Sequence, residues 1–273
     1  MSVAAAGLPS ALDAAVVPTG RRPAVFLDYD GVLTPIVDDP SDAVLGDAMR
    51  DTVRALAGRC PVCVVSGRDR AVIYELMGFD DLIVAGSHGF DIHDPATGTI
   101  THDASSGFED LVATVTRVVQ ERAGAIEGTL VEPKHASVAL HYRAVDPAEH
   151  PRVRQIVDDV LAEHPDALRV TPGKFVHEIQ PEIDWNKGRA VEHLLSVLDL
   201  TGPDVLPIYL GDDVTDEDAF RALARRPVGG DGAVGGVGIL VIDPADAGSR
   251  DTDATAVLGT VDEVGRFLEG LAR

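Results

Sequence analysis

The run Ala24-Val25-Phe26-Leu27 has no polar alternation and stops abruptly at Asp28-Tyr29-Asp30-Gly31. A strand without alternation is buried on both faces, which requires cover above and below it and therefore a parallel sheet. Three further runs share the pattern. Pro61–Val65 stops at Ser66-Gly67-Arg68, Leu82–Ala85 at Gly86-Ser87-His88-Gly89, and Val205–Leu210 at Gly211-Asp212-Asp213. Helical patterns separate some of them. Asp42–Leu56 carries Val44, Leu45, Ala48, Met49, Val53 and Leu56 at helical spacing, and Asp69–Met77 and Trp185–Leu198 are similar. Strands alternating with helices predict an α/β fold with a parallel sheet. Ligands of such sheets bind outside the carboxyl ends of the strands, and all four polar terminations fall on that edge.

The centre of the chain follows another pattern. Phe108–Glu121 is an amphipathic helix on Leu111, Val112, Val115, Val118 and Val119. Thr129–Arg143 contains an alternating stretch with Val138, Leu140 and Tyr142 on one face, Val153–Leu161 is helical, and Leu168–Ile179 reads as two strands around Pro172-Gly173. This order predicts a smaller α+β domain over residues 105–181, inserted into a core made of residues 21–104 and 182–273. Residues near 102–107 and 180–184 would be its hinges, and the Ala-rich residues 1–20 would be a flexible arm. Gly229–Gly238 reads as a glycine-rich loop without the G-K-[ST] ending of a Walker phosphate loop.

Charge and cysteines narrow the partners. A net charge of -22 argues against nucleic acid or an anionic membrane, while a small phosphorylated molecule stays open to a local cluster of cations. No apolar stretch approaches the roughly 18–20 residues of a membrane span, and the first residues lack a basic n-region. The expectation is a cytoplasmic monomer. Cys60 and Cys63 form C-P-V-C with no second pair to complete a zinc tetrahedron, so they read as structural thiols.

Asp28 and Asp30 lie one residue apart at a strand end, an arrangement that is costly unless a cation or a reaction uses it. In this context D-Y-D-G-V-L resembles the first motif of the haloacid dehalogenase superfamily. Ser66 resembles its second motif, Lys187 in Asp184-Trp185-Asn186-Lys187-Gly188 the third, and Gly211–Asp218 the fourth. The strings D-Y-D-G-V-L-T-P-I, S-G-R, G-S-H-G, V-E-P-K, G-K-F-V-H-E-I-Q-P and G-D-D-V-T-D-E-D-A-F together resemble the trehalose-6-phosphate phosphatase family, over about residues 23–270.

The resemblance implies a Rossmann-like core carrying a C2-type cap and a Mg2+-dependent hydrolysis of trehalose 6-phosphate. Asp28 would be the nucleophile, since a carboxylate can split one hard displacement into two. Asp30 would act as general acid and then as base, and Ser66 and Lys187 would hold phosphoryl oxygens. Mg2+ would sit on Asp28, Asp212 and the backbone carbonyl of Asp30, with Asp213 and Asp216 at its waters or orienting Lys187. Arg68, His88, Glu132, Lys134, Arg143, Lys174 and Glu178 would bind the sugar phosphate, with His141 kept out of the site. One position departs from the family: Val32 stands where a Thr is usual, which removes a hydroxyl near the phosphoryl group. Two other readings stay open. One is a phosphatase of another sugar phosphate, such as a sucrose phosphate or an aminocyclitol disaccharide phosphate. The other is a non-catalytic sugar-phosphate sensor.

Overall fold

A computed structural model describes residues 3–13, 20–102, 107–173, 175–226 and 235–273. The chain divides into two compact units, Met1–Ile100 with Trp185–Arg273, and Thr101–Asp184. Strands β1 (Arg22–Leu27), β2 (Val62–Val65), β3 (Ile83–Gly86), β4 (Asp91–Asp94) and β5 (Gly98–Ile100) come first. Strands β6 (Leu130–Pro133), β7 (Val138–His141), β8 (Leu168–Gly173) and β9 (Val176–Pro181) belong to the second unit. Strands β10 (Val205–Gly211), β11 (Val237–Val241) and β12 (Ala256–Leu258) return to the first. The α-helices are α1 (Asp47–Ala57), α2 (Arg70–Met77), α3 (Glu109–Ala123), α4 (His150–Glu163), α5 (Lys187–Val197), α6 (Glu217–Arg225) and α7 (Val261–Leu271). Helix α5 starts two residues later than the apolar pattern suggests because the Asn186 side chain accepts the Arg189 N–H and caps it.

The first unit is built on one sheet in the order β12-β11-β10-β1-β2-β3-β4-β5. Its unalternating runs are covered on both faces. Val25, Leu27, Val64 and Ile208 join Leu56 of α1 and Phe267 of α7 in one core. On the other face the Tyr209 ring packs edge-on against Phe220 of α6, with centroids 5.8 Å apart. The chain runs from β1 through β2 and β3 to one side, then crosses to β10, β11 and β12 on the other. The strand order therefore reverses between β1 and β10, and a crevice opens at their carboxyl ends.

Two expectations are corrected. The sheet is mixed rather than wholly parallel, because β4 and β5 add an antiparallel hairpin at one edge. Its turn is built by Asp94, whose carboxylate accepts the Ala96 N–H at 2.9 Å and the Thr97 hydroxyl at 2.7 Å. The amino-terminal segment is not a loose arm over residues 3–13. Val3-Ala4 pairs with Asp251-Thr252, Ser10 bridges to Val257, and Ala5 and Ala11 are buried. Alanine side chains are small enough for the backbone to lie on the sheet edge. There Ala5 N–H donates to Arg250 and Ala11 N–H to Val257 carbonyl oxygens, both at 2.9 Å. Residues 14–19 of that arm, most of the first hinge at 102–107 and most of the loop at 229–238 lie outside the described residues. Cys60 and Cys63 are free and buried, and burial pushes the Cys60 thiol up to about 11 and Cys63 higher still.

The second unit, against the 105–181 read from the sequence, spans Thr101–Asp184. Its antiparallel sheet has the order β6-β7-β9-β8. Val138, Leu140 and Ile179 pack with Val115 and Val119 of α3 and Val153 and Val157 of α4. Side chains alternate across a strand, so the opposite face carries the row Glu132, Ala139, Glu178 and Thr171. Leu140 is fully buried in this core. Leu140→Ala is expected to destabilise this unit by about 2–5 kcal/mol. A urea titration followed by far-UV circular dichroism checks this.

Candidate active site

Asp28 follows directly on β1 and is only 6% exposed. Its Oδ1 accepts the Tyr29 N–H at 2.8 Å, and its Oδ2 lies 2.9 Å from Lys187 Nζ. The chain then turns at Gly31, whose φ is +74°. A Cβ there would stand 2.2 Å from Asp212 Oδ2, so only glycine lets the turn after β1 meet the residue after β10. Ligand atoms of Asp28, Asp212 and Asp216 all lie within 4.8 Å of one another.

Lys187 is the first residue of α5, where the helix dipole disfavours a cation, and it is 97% buried. Two carboxylates offset both costs: Asp216 Oδ1 at 2.6 Å and Asp28 Oδ2 at 2.9 Å. Burial pulls the ammonium towards neutrality, but Asp216 and Asp28 outweigh it and hold its pKa above the ordinary lysine value. Asp216 is fully engaged. Its Oδ1 also accepts the Tyr209 hydroxyl at 2.6 Å, and its Oδ2 accepts the backbone N–H groups of Asp212 at 3.0 Å and Asp213 at 2.9 Å. Burial raises its carboxyl, yet the Lys187 charge and these hydrogen bonds win and hold it below the usual range.

Asp28 and Asp212 are shifted the other way. Burial raises the Asp28 carboxyl well above the carboxylate range, with Lys187 opposing and Asp216 and Asp212 adding to the rise. Burial, then Asp216, pushes Asp212 up to about 7. Three buried or half-buried carboxylates stand against one ammonium. The unmatched negative charge and the all-oxygen donor set fit a hard divalent cation. Asp216 has two partners on each oxygen, whereas Asp28 has one on each, so Asp28 and Asp212 are the carboxylates with lone pairs open to it.

The remaining motif residues lie on the same sheet edge. Ser66 follows β2 and is 1% exposed, and its Oγ accepts the Arg68 N–H at 3.1 Å. Arg68 grips Asp30 with a fork, Nε to Oδ2 and Nη2 to Oδ1, each at 2.7 Å. His88 sits in the short turn Ser87–Gly89 with φ +57°, and its ring covers the spot where a Cβ of Gly67 would be, 2.7 Å away. Val32 is buried in the apolar core. Asp213 is exposed, and its carboxylate accepts the Val214 N–H and forms a capping box with Asp216. The acidic cluster therefore takes Asp216 where the sequence pointed to Asp213.

In the second unit, Glu178 Oε1 accepts the Ser137 hydroxyl at 2.6 Å and lies 3.4 Å from Lys134 Nζ. Glu132 pairs with His141 at 2.8 Å, so the histidine set aside in the sequence is a direct neighbour of a residue retained. Arg143 is exposed in the turn after β7, which ends at His141. Lys174 lies outside the described residues.

The trehalose-phosphatase family model matches residues 26–261. The chain belongs to the trehalose-phosphatase family. It is 39% identical over 289 residues to the probable trehalose-phosphate phosphatase 2 of Oryza sativa subsp. japonica, covering 97% of this chain and 72% of that one. It is 38% identical over 271 residues to the trehalose-phosphate phosphatase of Mycobacterium tuberculosis (strain ATCC 25177 / H37Ra), covering 97% and 66%. The C-terminal domain of a C. albicans trehalose-6-phosphate phosphatase superposes with a TM-score of 0.70 at 26% identity, covering 93% of this chain and 92% of that one. A haloacid dehalogenase-like hydrolase from Bacteroides thetaiotaomicron shares the fold, with a TM-score of 0.62 at 14% identity over 92% of this chain and 98% of that one.

Within this trehalose-phosphatase chain, sequence reasoning missed Tyr209, while Asp216, read as a residue at the ion's waters or orienting Lys187, contacts Lys187 Nζ at 2.6 Å. The signal for Tyr209 is a polar-tipped residue inside the fully buried strand β10, where its hydroxyl needs a partner. The raised Asp212 carboxyl has a measurable consequence. A group whose pKa rises on folding adds stability below its ordinary value of 3.8 and loses it as pH climbs through about 7. Without divalent cation, the melting temperature is expected to fall across that window. A divalent cation held by Asp212 would compete with the proton, so adding one would raise the melting temperature more at about pH 8 than at about pH 5. Asp212→Asn should weaken both effects in a differential scanning fluorimetry series.

Proposed function

We propose that this chain is a Mg2+-dependent phosphatase that cleaves trehalose 6-phosphate to trehalose and inorganic phosphate through Asp28. The observation that carries the reading is the buried Asp28 carboxylate held by Lys187 beside Asp212 and Asp216. Family membership supports it, as do relatives named trehalose-phosphate phosphatases over most of the chain. Asp28 and Asp212, with the backbone carbonyl of Asp30, would hold the ion. When bound, it supplies positive charge at the phosphoryl oxygens and keeps Asp28 ionised.

The chemistry then follows from the residues. An Asp28 oxygen attacks phosphorus, and Asp30 gives its proton to the departing sugar oxygen. Asp30, now a carboxylate, takes a proton from water, which attacks the aspartyl-phosphate and frees inorganic phosphate and Asp28. Lys187 neutralises charge on the transferring group, and the Ser66 hydroxyl donates to one of its oxygens. Asp216 and Tyr209 keep the ammonium aimed. Asp213 caps the turn that presents Asp212.

We assign the second unit to the C2 cap type, supported by its α+β make-up and its insertion between the second and third motifs. Glu132, Lys134 and Glu178 would read sugar hydroxyls, supported by their places on or beside one sheet face and by the polar contacts that fix them. Arg143, Lys174 and His88 stay proposed sugar contacts on the family resemblance alone. Two free, buried thiols support a reducing, cytoplasmic setting.

Asp28→Asn should reduce phosphate release from trehalose 6-phosphate to background in a malachite-green assay, and retention of a tenth of the activity would exclude the nucleophile role. Chelation of Mg2+ should have the same effect reversibly. Glu178→Ala should lower kcat/KM for trehalose 6-phosphate far more than for p-nitrophenyl phosphate, because an aryl group offers no hydroxyls to read. A panel with sucrose and aminocyclitol disaccharide phosphates separates the neighbouring substrates, and no turnover of any phosphate would favour a sensor.

A further inference from the structure

We infer that Arg68 is a positioning residue for Asp30 rather than a sugar-phosphate ligand. The inference rests on the phosphatase reading of Asp28 and Asp30 given above. Three guanidinium nitrogens are already committed. Nε and Nη2 form the fork on Asp30, and Nη1 donates to the Pro40 carbonyl oxygen, all at 2.7 Å. The side chain is 18% exposed, and the Asp30 side chain is 36% exposed. Asp30 is thus the more open end of the pair, within reach of an incoming molecule with which it exchanges a proton.

The backbone supports the same division of labour. Arg68 N–H donates to Ser66 Oγ, which ties the guanidinium's own main chain to the end of β2. Gly31 N–H donates to the Thr34 carbonyl oxygen at 2.8 Å, which fixes the turn on the other side of Asp30. A planar fork meeting both carboxylate oxygens sets the rotation of the carboxyl group as well as its position. A lysine can match the charge but cannot set that rotation.

The role bears on both proton transfers. In the first, Asp30 gives its proton to the leaving oxygen as the phosphorus–oxygen bond breaks. In the second, it removes a proton from the water that attacks the aspartyl-phosphate on Asp28. A misaligned Asp30 slows both steps for a sugar alkoxide. p-Nitrophenolate leaves without a proton, so with that substrate only the second step suffers. The phosphorylated enzyme then accumulates.

The test uses the full chain with Mg2+ in rapid-quench and steady-state assays. Arg68→Ala and Arg68→Lys are expected to lower kcat on trehalose 6-phosphate, by about 100-fold for alanine, with KM unchanged. With p-nitrophenyl phosphate both variants should give a burst of one nitrophenolate per enzyme followed by a slow steady rate. In an Asp30→Asn background Arg68→Ala should cost nothing more, since the residue acts through Asp30. A raised KM with kcat retained, a linear trace with no burst, an undiminished Arg68→Lys enzyme, or a further loss in the Asp30→Asn background would each overturn the inference. The lysine variant carries the test if the alanine variant does not fold. Failure of the wild type on trehalose 6-phosphate with turnover of p-nitrophenyl phosphate would instead remove the substrate reading, and the burst would still judge Arg68.

Discussion

The catalytic edge depends on one buried ammonium. Lys187 sits between Asp28 and Asp216, at a helix start that repels it and in a place water scarcely reaches. Neither carboxylate could be buried there without it, and it could not be buried without both. The arrangement therefore couples three stretches far apart in sequence: the end of β1, the start of α5 and the turn after β10. Tyr209 and two backbone N–H groups complete the shell around Asp216, so the aspartate is a fixed post rather than a reacting group. Asp28 has one partner on each oxygen where Asp216 has two, so its carboxylate keeps lone pairs for a further ligand.

A division of labour between acids follows. Asp216 is pulled below the carboxylate range and Asp212 is pushed to about 7, although they are neighbours on one short loop. Asp216 has the Lys187 ammonium in direct contact and then hydrogen bonds to its charged form, whereas for Asp212 burial and the neighbouring Asp216 charge dominate. A cation is the natural complement for the second kind of site. Asp30 belongs to a third kind, engaged by a guanidinium and still partly open.

Much of this was legible before any coordinates. The unalternating runs that stop at Asp28, Ser66, Gly86 and Gly211 mark the central strands and the edge on which their polar ends gather, because burial on both faces leaves a plain signature. The edge hairpin β4–β5 was not legible, since Asp91-Ile92-His93-Asp94 and Gly98-Thr99-Ile100 are short and carry little apolar signal. The division between Asp213 and Asp216 was also out of reach. Both are acids in one D-D-V-T-D run, and only the turn geometry decides which side chain points inwards and which caps. The proposed sugar contacts were chosen as polar positions on strands, and Arg143 shows the weakness of that approach: the strand stops two residues before it.

The short amino-terminal segment carries a consequence of its own. By lying along Val257 and pairing with Asp251-Thr252, it covers the rim of the sheet at β12 with an extra length of main chain. Uncovered rims recruit strands from other molecules. Residues 3–11 thus occupy main-chain groups of that rim which an incoming strand would otherwise use.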